Sequence, residues 1–184
     1  LAERYQGYSR HTEAVLSMST IVFDAMKKIH GMGKRERLLL QVAAILHDCG
    51  RYVSLINQSE CSYQIILATE IIGMTHVERE IVASAVKYNS QPLQPYSIVS
   101  DRMDQEGYMV VSKLTAILKI ANAMDRSHKQ KFKNIKASLQ GRELVITVES
   151  PESIVLEKGL FPAYANSFEE VFSVKARIRE KKVI

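Results

Sequence analysis

Apolar positions recur every three or four residues through most of the chain and every second residue near its end, so a long helical part precedes a short mixed part. Between Ser9 and His30, the residues Val15, Met18, Val22, Met26 and Ile29 form one stripe. His11 lies one turn before Val15 on that stripe, and His30-Gly31 followed by Gly33 supplies a stop. From Lys34 to Asp48, the residues Leu38, Leu39, Val42, Ile45 and Leu46 make a helix apolar nearly all round, as expected of a central buried element, with Gly50 ending it. A third helix is expected over Cys61 to Ile72, closed by Gly73. Thr75 and Glu78 then read as a capping box that opens a fourth, carrying Ile81, Val82, Ala85 and Val86. Pro92, Pro95 and Gly107 mark a long loop over 89–108. The fifth helix, Met109 to Arg126, sets Leu114, Leu118, Ala121 and Asp125 on one stripe, which aims a carboxylate at the interior.

After Arg126 the period falls to two. Ile135, Ala137 and Leu139 alternate with polar residues, Gln140-Gly141-Arg142 offers a turn, and Leu144, Ile146 and Val148 alternate again, giving a hairpin. A further helix, with Pro162 near its start, carries Phe161, Tyr164, Phe168 and Phe172, and Val174, Ala176 and Ile178 make a last strand. The predicted fold is mainly α: a helical bundle over residues 1–130, then a small ββαβ unit of α+β type over 131–184 packed on it. With 184 residues, 46% of them hydrophobic, the chain can bury a core, which excludes disorder as its main state. No apolar run approaches the ~18 residues that span a bilayer. Cys49 and Cys61 are too few for a disulfide scaffold and fit a reducing compartment, so the expected location is the cytoplasm. The first residue is Leu1 rather than Met, which reads as a piece of a longer chain or a processed product.

The net charge of +5 is unevenly placed. Arg126, Lys129, Lys131, Lys133, Lys136 and Arg142 follow one another with no acidic residue between them, and Lys175, Arg177, Arg179, Lys181 and Lys182 repeat the bias against Glu180 alone. Such runs attract polyanions. Nucleic acid fits less well, because no pattern of stacking aromatics accompanies the cations.

Helical periodicity sets His11, His47, Asp48 and Asp125 on or beside apolar faces near helix ends. An ionised carboxylate turned inward needs compensation, and two imidazoles with two carboxylates suit a divalent transition metal. At a helix end the adjacent His47 and Asp48 can turn toward a common ion. Such an ion lowers the pKa of bound water and orients a phosphate oxygen. Each of the four also has a plainer reading as a hydrogen-bonded core residue. His30 beside Gly31 reads as a favourable charge at a helix C-terminus, His76 as an exposed first-turn residue, and His128 as part of the basic surface, with a place lining a site as its alternative.

This spacing in a helical setting resembles the HD phosphohydrolase superfamily, and six segments sharpen the likeness. LAERY at the N-terminus, AAILHDCGR over Ala43–Arg51, CSYQII over Cys61–Ile66, LKIANAMDRSH over Leu118–His128, and the tail segments IVLEKG and FEEVFSV resemble the C-terminal portion of the Ppx/GppA exopolyphosphatase and guanosine pentaphosphatase family. The resemblance implies an HD-type bundle in which His11, His47, Asp48 and Asp125 hold one divalent ion (Mn, Fe, Ni, Zn or Mg), with His47 and Asp48 at the centre of any catalysis. Relatives often carry a His-rich segment where Gln58, Ser59 and Cys61 stand, and a His at Asn89, so a second ion is not expected.

The resemblance also implies polyphosphate or guanosine penta- or tetraphosphate as ligand, an actin-like ATPase-fold domain before this portion that carries the main hydrolysis, and a homodimer. Arg51, Arg126, Lys129, Lys131 and Lys133 are the expected substrate-binding cations. Two other readings remain at this level: a non-catalytic polyanion-binding module whose polar cluster holds no metal, and a self-sufficient HD-type nucleotide phosphohydrolase.

Overall fold

The computed structural model of the chain describes Arg4 and residues 9–181. Apart from Arg4, the LAERY segment lies outside the described residues, as do 182–184 of the basic tail. In chain order the elements are α1 (Arg10–Ala25), α2 (Lys27–His30), α3 (Lys34–Leu46), a 3-10 turn (Cys49–Tyr52), α4 (Gln58–Ala68), α5 (His76–Ser90), α6 (Tyr96–Val99), α7 (Gln105–Met124), β1 (Lys133–Gln140), β2 (Glu143–Glu149), α8 (Val155–Phe172) and β3 (Lys175–Lys181). The architecture is mainly α with a small ββαβ unit, as the periodicity predicts. β1 pairs antiparallel with the central β2, and α8 crosses over so that β3 pairs parallel on its other side.

Helix α7 is the axis of the bundle and packs against α1, α3, α5 and α8. Leu114, Ile117, Leu118, Ile120 and Ala121 are fully buried, and the small side chains of Ala116 and Ala123 let neighbouring helices approach. One continuous apolar cluster runs from this bundle into Leu144, Ile146, Val148, Phe168 and Phe172 of the sheet unit.

Boundaries shift from the periodicity where local polar groups decide them. The single helix expected from Ser9 to His30 breaks at Met26 (φ −92°, ψ 5°). Helix α7 starts at Gln105 rather than Met109, because the Asp104 carboxylate accepts the Gly107 N–H at 2.8 Å and caps it. Pro162 sits well inside α8 rather than near its start. It removes the hydrogen bond to the Lys158 carbonyl, and Lys158, Gly159 and Pro162 all face solvent, where water replaces the lost donor.

His30 departs from the charge expected at a helix C-terminus. It is buried; its Nδ1 accepts the Met32 N–H at 2.9 Å, so Nε2–H donates to the Phe23 carbonyl at 2.8 Å. Both nitrogens are used by the neutral ring, and burial holds its pKa below the ordinary 6.5. Because the folded state resists protonation here, its contribution to stability is complete above pH 6.5 and is lost as pH falls below that value. The His30→Gln variant keeps a donor and an acceptor but cannot charge. Its melting temperature is expected to fall less than wild type's between about pH 7 and pH 5.5, and parallel curves for the two proteins would refute this role.

Candidate metal centre and phosphate cavity

The HD dipeptide sits where α3 stops. On a continuous helix, adjacent side chains diverge by about 100°. Here His47 still has helical torsions, whereas Asp48 leaves them at φ −103° and ψ 2°, and the 3-10 turn follows. That change swings Asp48 Oδ1 to 3.4 Å from His47 Nε2. The turn is held against α4 by Gly50, whose N–H donates to Ser62 Oγ at 2.8 Å. Gln58 Nε2 donates to Asp48 Oδ1 at 2.5 Å and fixes the carboxylate.

Each imidazole has one nitrogen already committed. His47 Nδ1–H donates to the Ala44 carbonyl at 2.7 Å, one turn back on α3. His11, in the first turn of α1, donates from Nδ1–H to Asp125 Oδ2 at 2.8 Å. When each ring carries only that proton, both Nε2 atoms present lone pairs, and they face one another at 3.4 Å. Asn122 Oδ1 lies 3.1 Å from His11 Nε2, and the same amide turned over would donate its N–H to that nitrogen. Burial lowers the His47 pKa, and neighbouring His11 lowers it further, against the pull of Asp48; the neutral, metal-binding form is favoured. One ligand atom from each of His11, His47 and Asp48 lies within 4.8 Å of the others, the one such group of His, Cys, Asp or Glu among the described residues. Two imidazole lone pairs and a carboxylate converging on one point form a donor set that fits a divalent transition ion.

Asp125, expected as the fourth ligand, stands behind His11. It terminates α7 (φ −120°, ψ 40°), and besides the His11 bond it accepts the Gln130 N–H on Oδ1 at 2.7 Å and Gln130 Nε2 on Oδ2 at 2.9 Å. Burial alone would raise its pKa, but these three bonds outweigh burial and hold it below 3.8. In this arrangement Asp125 sets the His11 tautomer and ring orientation, the role of an outer-shell carboxylate.

A cavity of about 410 Å³ opens onto the cluster. Arg51 and Arg126 line it, as does His128, which stacks on the His11 ring with centroids 3.7 Å apart. Of its two readings, basic surface or lining of a site, His128 takes the second in the structure. Its left-handed backbone (φ 55°) folds it back over the site, a signal that no helical pattern carries. Asn122, three residues before Asp125 on the same helix face, could have been found from that spacing; Gln130 could not. Gln58, Ser59 and Asn89 also line the cavity.

The remaining expected cations do not line this cavity. Lys129 and Lys133 are exposed outside it. Lys131 is turned inward: its Nζ contacts Glu157 Oε2 at 3.2 Å and donates to the Ser153 carbonyl at 2.8 Å, so its charge is spent within the fold. No helix of the described residues is long and apolar enough to cross a membrane.

Residues 1–162 match the family model of the Ppx/GppA phosphatases, domain III. The match takes in all of α1 to α7, the β1–β2 hairpin and the first part of α8. No curated protein matches the chain.

Proposed function

The chain belongs to the Ppx/GppA phosphatase family through its domain III, and on that premise we propose that it is the metal-binding and polyanion-binding portion of an exopolyphosphatase or guanosine pentaphosphate phosphohydrolase. The reaction is phosphoanhydride hydrolysis. In this reading the family's actin-like ATPase-fold domain carries the main hydrolysis, and the chain acts as a homodimer in the cytoplasm. The helical part, 1–130, supplies the ion site and the whole lining of the cavity, and the sheet unit, 131–184, is a separate small α+β portion.

One observation carries the proposal: two imidazole lone pairs and the Asp48 carboxylate converge at the floor of a cavity whose rim bears two guanidinium groups. The two Nε2 atoms stand 3.4 Å apart, close enough to bind one ion between them. His11, His47 and Asp48 would hold one Mn, Fe, Ni, Zn or Mg ion, with Asp125 orienting His11. Bound there, such an ion supplies charge neutralisation for a phosphate and a more acidic water. Arg51 and Arg126 grip phosphate oxygens bidentately, and neither has a carboxylate partner among the described residues. The room beside the ion also supports a second reading, in which this site hydrolyses small phosphoesters by itself with His47 and Asp48 as its catalytic pair.

Metal content per chain, measured in protein purified without chelator, tests the first reading. About one transition ion per chain is expected in wild type and almost none in Asp48→Ala. No ion in either, even after soaking with Mn, Ni or Fe, would overturn it. Nucleotide turnover by this chain alone, lost in His47→Ala, would favour the second. For the cations, Arg51→Gln with Arg126→Gln is expected to weaken polyphosphate binding and to reduce the slope of log Kd against log salt by roughly 1.5. An unchanged slope would move the binding surface elsewhere, with Lys129 and Lys133 as the next pair to neutralise.

A further inference from the structure

We infer that Glu157, on α8 and remote from the ion ligands, is a positioning residue for the metal centre: it clamps both ends of the turn that orients His11. The inference rests on the metal reading above for its consequence, though not for its geometry. Glu157 is 1% exposed, and its two oxygens take different ends of one short segment. Ser127 Oγ donates to Oε1 at 2.6 Å, and Lys131 Nζ meets Oε2 at 3.2 Å. The Lys131 side chain is itself 11% exposed and has a second bond to the Ser153 carbonyl, just before α8.

Asp125, which holds His11 Nδ1, and His128, which stacks on the ring, lie in or next to that clamped segment, while Asn122 meets Nε2 from α7. Asp125 precedes Ser127 by two residues, and Gln130, which saturates the Asp125 carboxylate from backbone and side chain, precedes Lys131 by one. His128, stacked on His11, lies between the anchors, and its N–H donates to the Asp125 carbonyl at 2.9 Å. The segment does not hold this shape by preference. His128 and Gln130 have φ of 55° and 48°, two of the four non-glycine residues among those described that occupy the left-handed region. Such torsions persist only where the surroundings impose them. A buried carboxylate that gains its compensation from Ser127 and Lys131 together is the constraint present here. Lys131 thus belongs to the support of the ion site rather than to its substrate face.

Two measurements on the whole chain test the clamp in Glu157→Gln, which keeps the side-chain shape, and in Ser127→Ala, which leaves the ion pair in place. The first is hydrogen exchange of the Gln130 amide relative to core amides of α7; the second is Co(II) affinity, taken well below each variant's melting temperature. Both variants are expected to speed Gln130 exchange at least tenfold with α7 unchanged, and to weaken Co(II) binding by about tenfold, the lower end for loss of an outer-shell support. A variant that exchanges Gln130 and binds Co(II) as wild type does overturns the inference. If wild type binds no Co(II) but Gln130 loses protection in the variants, the clamp stands and the metal reading falls. Uniformly faster exchange across α7 in both variants would show a merely structural role and also overturn it.

Discussion

Gly50→Ala is expected to be among the most damaging single substitutions in this protein, although it adds one methyl group. A Cβ at Gly50 would stand 2.2 Å from the Gln58 carbonyl oxygen, 2.3 Å from the Ser62 nitrogen and 2.6 Å from Ser62 Oγ. Two of the three are backbone atoms of α4, which cannot rotate out of the way. The 3-10 turn must therefore lift off α4, breaking the Gly50 N–H to Ser62 Oγ bond and drawing Asp48 away from Gln58. Overpacking against backbone at a buried site costs about 3 kcal/mol or more, which for a chain of this size lowers the melting temperature by roughly 6–12 °C. The metal stoichiometry should fall with it, because the shifted residue is two positions from Asp48. Gly31→Ala is the control. Gly31 has φ 67° but open space around its Cβ direction, so only conformational strain of about 1 kcal/mol is expected there. Thermal melts of the two variants side by side check the contrast, and equal losses would mean that the Gly50 contact yields easily.

Asp125→Asn should separate stability from metal binding. The substitution is nearly isosteric, but it removes the charge that His11 Nδ1–H and both Gln130 donors converge on. An Asn amide can present either end, so the tautomer that leaves His11 Nε2 free for an ion is no longer enforced. Metal affinity is expected to fall about 10–100-fold, as for other carboxylates that orient a ligating His. The pH dependence has a definite sign. The Asp125 pKa is depressed in the folded protein, so its contribution to stability is present above the ordinary 3.8 and is lost as pH falls through the lower folded value. Wild type should therefore lose stability in that acidic window, and Asp125→Asn should lose less. Urea unfolding of the metal-free proteins at neutral and acidic pH reads this directly, and parallel losses would show that the three bonds do not favour the ionised form.

The sequence by itself determined the class of fold, because periodicity of 3.6 and then of 2 dictates which faces must be buried. It also pointed to the chemistry at His11, His47, Asp48 and Asp125, since polar residues on apolar stripes are conspicuous. Local patterns could not say how these four meet. His11 and Asp125 are 114 residues apart, and only the packing of α1 against α7 brings the Asp125 carboxylate onto His11 Nδ1. His30 shows the same limit: beside Gly31 it reads as a surface charge, and only the break at Met26 folds it onto the Phe23 carbonyl. Charge was legible as a run but not as a surface. Arg126 reaches the cavity and Lys131 the buried Glu157 because the turn between them bends through two left-handed residues. A side chain's direction after such a turn depends on what clamps it, and the clamp is a carboxylate on α8, brought there only by the tertiary fold.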